Sequence, residues 1–164
     1  MLQNRSMPVC TVIPVLIYED VAEAVEWLCD TFGFVERWHA GEHRAQLAVG
    51  DAAVVISERR VAEAHRSSDP TIFRAPRRGE VSHSMMVRVE DVDSHYRRAR
   101  QGGARIFRPP EDFPYGERQY SAEDLAGHRW TFSQSIADVA PEEWGGTSAA
   151  GLSRDDEAAT EAAR

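Results

Sequence analysis

Two short runs carry the densest set of polar side chains at two-residue spacing: Glu117, Gln119 and Ser121, then Arg129, Thr131 and Ser133. In extended chain, that spacing puts each trio on one face and leaves His128, Trp130 and Phe132 on the opposite face. A sheet of this kind packs its apolar side on helices and turns its polar side toward a wet cavity. The same period places Arg44, Gln46, Ser84, Met86 and Arg88 on the inward side, with Trp38 as an aromatic wall. Amides, hydroxyls and guanidinium groups fix the polar parts of a small molecule, while Trp and Met cover its apolar part. Glu117 is the one carboxylate in this expected set. It reads either as one partner of an ion pair with Arg44, Arg88 or Arg129, or as a ligand-orienting or general-base group.

Other constellations carry less. His39 and His43 flank Glu42, but a four-residue spacing converges only on a helix, and Ala40-Gly41 marks a turn. His83 shares the period of Met85, Val87 and Val89, which predicts a helix-packed side. His128 reads as structural, and neither His95 on a helix surface nor His65 in a connector suggests a role. Glycine-rich phosphate loops and a Ser/His/Asp order are absent. Cys10 and Cys29 lack metal-ligand or disulfide spacing and read as reduced thiols.

The bulk properties exclude whole classes. Net charge is −8, and residues from Asp138 onward hold seven acids and two arginines, a net of −5, which leaves −3 for residues 1–137. A nearly neutral body offers no basic face for nucleic acid. All 19 basic residues are arginine. No run of 18 apolar residues could span a membrane, and no charged segment followed by an apolar stretch suggests a secretory leader, so the expected location is cytoplasmic.

The elements that must position the polar face repeat. Thr11 to Tyr18 is a β-rich run whose Pro14 predicts either an edge strand or a nitrogen that faces away from its neighbour there. Asp20 caps a helix with Val21, Ala24, Val25, Leu28, Cys29 and Phe32 on one side, ended by Gly33. Strands follow at 34–39, 44–49 and 52–58, the last two joined by Gly50-Asp51. Glu90-Asp91-Val92 repeats Glu19-Asp20-Val21 at an offset of 71. A second helix then carries Val92, Tyr96 and Ala99, stops at Gly102-Gly103, and leads into a strand at 104–108 and the two polar runs. Two β-α-β-β-β modules result, about 9–58 and 82–136, with a connector at 59–81 that is either a solvated link or a flap. Residues 137–164 form an acidic tail, with Pro141 to Trp144 as an anchoring segment.

The entry IYEDVAEAVEWLCDTFGF, its echo VRVEDVDSHYRRARQGGA and the ending EDLAGHRWTF together resemble the vicinal oxygen chelate superfamily. That superfamily includes glyoxalase I, extradiol dioxygenases and fosfomycin and bleomycin resistance proteins; the likeness is nearest to a glyoxalase-like branch with a PYGERQY strand. The resemblance covers about residues 9–136. It implies an α+β fold of two tandem βαβββ modules whose curved mixed sheets surround a central cavity, and a homodimer. Metal-using members take ligands from the first and last strands of each module, which by position are Ile13, Val55, Ser84 and Thr131 here. Those side chains are not the imidazoles and carboxylates a divalent ion needs. The expectation is a metal-free protein without cofactor that binds a small organic ligand in sequestration or resistance. The alternative is lyase, isomerase or dioxygenase chemistry, through a non-standard metal site on His83 and a rim histidine or through Glu117 as a base.

Overall fold

The computed structural model describes residues 4–58 and 73–148. The connector up to 72, with His65, and the tail from 149 lie outside the described residues. The first module runs β1 (Val15–Tyr18), α1 (Val21–Phe32), β2 (Val35–Ala40), β3 (Arg44–Val49) and β4 (Ala52–Glu58). The second runs β5 (Ser84–Arg88), α2 (Val92–Gln101), β6 (Arg105–Phe113), β7 (Glu117–Glu123) and β8 (Arg129–Ser135). Each module forms a four-stranded mixed sheet, ordered β1-β4-β3-β2 and β5-β8-β7-β6, with the first strand parallel to the last. The fold is therefore α+β with two similar modules, as the repeat predicts.

The repeated cap triplets do the same work twice. Asp20 accepts from the Glu23 amide at 2.9 Å, and Asp91 accepts from the Ser94 amide at 2.9 Å, so each helix starts with an orphan N–H satisfied. Gly33 ends α1 at φ 74°, a left-handed conformation costly for any residue with a Cβ. Pro14 precedes β1, which lies at a sheet edge as expected, and the Pro14 carbonyl still accepts from the Val55 amide at 2.9 Å.

One strand is longer than its pattern suggests. β6 continues through Pro109-Pro110 to Phe113 instead of stopping at Arg108. It is an edge strand, and its register with β7 shifts between Ile106 and Arg108 and again between Arg108 and Glu111. Prolines are tolerated where a strand has no neighbour on one side and bulges absorb the missing donors.

The modules join through their helix-covered faces. Phe32 at the end of α1 packs on Phe132 and Trp130 of β8, at ring-centroid distances of 4.8 and 5.7 Å. Leu16, Tyr18, Leu28, Ile56, Val92, Ala99, Tyr120, Ala122, Trp130 and Phe132 belong to one continuous buried core. Thr31 Oγ1 donates to the Gly102 carbonyl at 3.3 Å where the helices touch. These two residues are 71 apart, the offset of the repeat, so the contact lies close to the pseudo-twofold relation between modules. Pro141–Trp144 forms a 3₁₀ turn whose Trp144 ring lies edge-on to Tyr115 at 5.6 Å, which anchors the segment to the second module.

Candidate functional site

The helix-free face of the second sheet is built in rows, because strand pairing brings alternate residues of four strands into line. Ser84, Arg129, Glu123 and Arg105 make one row; Met86, Thr131, Ser121 and Arg108 make the next. Arg88, Ser133, Gln119 and Glu111 form a third, and Ser135, Glu117 and Phe113 a fourth. The expected inward set Ser84, Met86, Arg88, Glu117, Gln119, Ser121, Arg129 and Thr131 thus shares one surface. Their backs are the buried Tyr120, Ala122, Trp130 and Phe132, so the alternation in the sequence translates directly into two chemically distinct faces.

Hydrogen bonds knit the rows. Gln119 Nε2 donates to Ser133 Oγ at 3.0 Å, and the Ser133 hydroxyl donates to Glu117 at 2.5 Å. Ser135 also donates to Glu117, and Arg88 lies 3.8 Å from the same carboxylate. Partial burial pushes the Glu117 pKa up, but the two hydroxyls and Arg88 outweigh it and hold it below the usual carboxylate range. Ser121 and Thr131 oxygens are 3.4 Å apart, while Met86 stands 65% exposed beside them.

Trp38, Arg44 and Gln46 lie apart from this set, on the first sheet. Trp38 pairs with Gln46, and Gln46 with Val55. Arg37 is the extra residue of a bulge between Glu36 and Trp38, and its guanidinium donates to the buried Gln46 side chain. Residues 5 and 6 run across this point, since Trp38 Nε1 donates to the Ser6 carbonyl at 3.0 Å and Arg37 reaches the Arg5 carbonyl at 3.4 Å. Trp38 and Arg37 are therefore engaged by the chain's own N-terminal segment, and Gln46 by Arg37.

The family model for the Glyoxalase/Bleomycin resistance protein/Dioxygenase superfamily matches residues 11–132. This chain belongs to that superfamily. Among solved structures, TioX from Micromonospora sp. ML1 is 31% identical, with 77% of this chain and 99% of that one covered and a TM-score of 0.60. A glyoxalase-related enzyme from Fulvimarina pelagi is 15% identical over 87% of this chain and 99% of that one, with a TM-score of 0.64. Lactoylglutathione lyase from Agrobacterium tumefaciens is 14% identical over 86% and 100%, with a TM-score of 0.60. The last two show the shared fold alone. No curated protein matches the chain.

Within the superfamily fold, the expected metal positions can be compared with the register. Val55 pairs with Val15, and Thr131 with Met86, whereas Ser84 stands opposite Arg129. Neither pair provides an imidazole or a carboxylate, and among the described residues no three His, Cys, Asp or Glu side chains converge to hold a metal ion. The donors present do not fit a divalent metal. His83 is exposed and contacts Ser82, with its ring 6.4 Å from that of His128. His128 is buried with Nε2 at 2.9 Å from the Ile17 carbonyl, and His39 pairs with Glu36 at 2.6 Å on the exposed rim.

Two residues read differently in three dimensions. Glu123 joins Glu117 and Glu111 as a carboxylate on the polar face, so Glu117 is not the only one; β7 runs two residues beyond Ser121 and carries the alternation with it. Its signal, Glu117, Gln119, Ser121 and Glu123 at strict period two, is present in the sequence. His95, expected at a helix surface without a role, is half-buried between modules. Its Nε2 lies 2.9 Å from the Phe32 carbonyl, and its Nδ1 accepts from the Tyr120 hydroxyl at 2.6 Å. His95 is enclosed because the first module packs against α2, a contact that helix periodicity alone does not reveal.

Proposed function

We propose that this protein binds a small organic ligand on the polar face of its second sheet, in a sequestering or resistance role that needs no metal. The observation that carries this reading is the face itself: aligned hydroxyl, amide and guanidinium groups around a half-open Met86, without donors suited to a metal. Ser84, Arg88, Gln119, Ser121, Arg129 and Thr131 orient the polar groups of the ligand. Glu117 accepts hydrogen bonds from Ser133 and Ser135, and acts in orientation, not as a base. An anion held below the ordinary carboxylate range is a weak proton acceptor near neutrality, which disfavours the acid–base alternative.

A face this open leaves much of a ligand in water, so a second copy of the chain closes it in our reading; superfamily members typically form dimers. Trp38, Arg44 and Gln46 then contribute from the partner's first sheet, once residues 5 and 6 move from across it. A thermal-shift screen of planar, anionic and glycopeptide-like compounds tests the binding role. A hit raises the melting temperature in proportion to ln[ligand] above Kd, and Thr131→Trp, which fills the face, removes that rise. Absence of any shift across the panel would overturn the proposal. Metal analysis of freshly purified protein tests the rival lyase or dioxygenase reading, which requires near-stoichiometric Ni, Zn, Mn or Fe and a loss of ligand response on chelation.

A further inference from the structure

One corner of the second sheet has more positive charge than its own carboxylate needs. Glu123 is fully buried at its side chain and is approached by Arg105 at 3.4 Å, Arg129 at 3.5 Å and Arg78 at 3.9 Å. Three guanidinium charges against one carboxylate leave +2 here, in a chain whose net charge is −8. Arg129 alone would neutralise Glu123. None of the three approaches is a short bidentate fork, and Glu123 Oε2 and Arg129 Nε each lack a hydrogen-bond partner although buried. An arginine carries five N–H donors, so most of those on Arg78 and Arg105 are uncommitted to Glu123, and these two side chains are 67% and 57% exposed.

The corner is also apolar on one side. Phe107, 40% exposed, has the Arg129 guanidinium 3.2 Å and the Arg105 guanidinium 4.8 Å from its ring centroid. Such stacking fixes the plane of a guanidinium and leaves its N–H edges for an acceptor. Met86 and Thr131 lie in the adjoining row. Arg78 comes from the connector, whose Pro76 and Arg78 lie beside Gly127 in the β7–β8 turn.

We propose that Arg78, Arg105 and Arg129, set around Glu123 and beside Phe107, form a subsite for the carboxylate of an aromatic acid. It rests on the ligand face proposed above and names the ligand's chemical class. The acid group meets the edges of Arg105 and Arg78, and the arene lies over Phe107 toward Met86.

Calorimetric titration with naphthalene-2-carboxylate and with its uncharged amide tests this. The acid is expected to bind about tenfold more tightly than the amide at low salt, a preference that charge-assisted hydrogen bonds to arginine supply. Arg78→Gln with Arg105→Gln, which leaves the Arg129–Glu123 pair in place, should bring the two affinities within about twofold. An equal affinity for acid and amide in the parent protein would overturn the subsite. If Thr131→Trp still blocks both probes in that case, the ligand face stands while the anion subsite falls. Failure of both probes to bind counts against both. An acid preference that survives in the double variant also overturns the assignment.

Discussion

The hydroxyl of Tyr18 donates to Asp124 Oδ2 at 2.6 Å, across 106 residues of sequence. The same carboxylate oxygen accepts from Trp130 Nε1 at 2.9 Å, and Oδ1 accepts from the amides of Ala126, Gly127 and His128. One buried side chain therefore shapes the β7–β8 turn, holds the largest core residue and ties β1 of the other module to it. Burial, with the Asp124 charge beside it, pushes the Tyr18 phenol well above its usual range, so it remains a neutral donor.

Replacing Asp124 with Ala removes the side-chain acceptor of five donors, of which the Gly127 amide keeps the backbone carbonyl of residue 124. Unsatisfied buried donors cost about 1–3 kcal/mol each before relaxation, and the expected net loss is about 3–5 kcal/mol. Tyr18→Phe removes one bond and should cost about 1–2 kcal/mol. Urea unfolding of both singles and the double variant checks this, since coupling of at least about 0.5 kcal/mol is expected for a shared bond. Additive losses would show the contact contributes little.

Stability should fall as pH drops below the ordinary histidine value of about 6.5. Burial lowers the His95 pKa despite its bond to the Phe32 carbonyl, and burial also lowers that of His128 despite Asp124. A depressed folded pKa means the unfolded chain takes up the proton first. Stability is therefore complete above about 6.5 and is lost as pH falls from there to the folded values. Melting temperatures between pH 8 and 5 report the slope. His95→Gln, which keeps hydrogen-bonding groups at both ends, should flatten it, and an unchanged slope would remove His95 from this account.

Glu117 acts in the same direction, in a more acidic window. Partial burial raises its pKa, but Ser133, Ser135 and Arg88 more than offset this, so its contribution is present above the unfolded value and lost as pH falls through the lower folded one. Carboxyl-carbon NMR of the Ser133→Ala, Ser135→Ala double variant should show the Glu117 midpoint moving up. A midpoint that stays put would assign the depression to Arg88 alone.

Gly102→Ala should loosen the contact between modules. Its φ of −77° suits any residue, so the cost is steric: an added Cβ would collide with the Thr31 side chain at the helix contact. Overpacking of this kind costs about 1–3 kcal/mol. Amide exchange in α1 and α2, read beside the unfolding midpoint, distinguishes a local adjustment from separation of the modules.

Much of this was legible before any coordinates. The echo of Glu19-Asp20-Val21 at Glu90-Asp91-Val92 marks two capped helices because capping depends on residues within one turn. The alternation through 128–133 marks two faces because side-chain direction in a strand depends on parity alone. Parity would also have included Glu123, had the strand been extended by two residues. What lay beyond reach was set by pairing. The arrangement of Arg105, Glu123, Arg129 and Ser84 in one row depends on bulges in β6 and on which strands are neighbours. The long edge strand through Pro109-Pro110 depends on there being no partner on one side.

The sequence by itself determined the two modules, their helix caps and which side chains face the polar side of each strand, since all of these follow from contacts within a few residues. The tertiary structure alone decided that Asp124 would gather donors from both modules, that His95 would be enclosed between them, and that three arginines would meet one buried glutamate. Those outcomes rest on groups up to 106 residues apart, on different strands and modules, finding each other in a packed interior. There, low polarizability makes an unpaired polar group costly and a satisfied one specific.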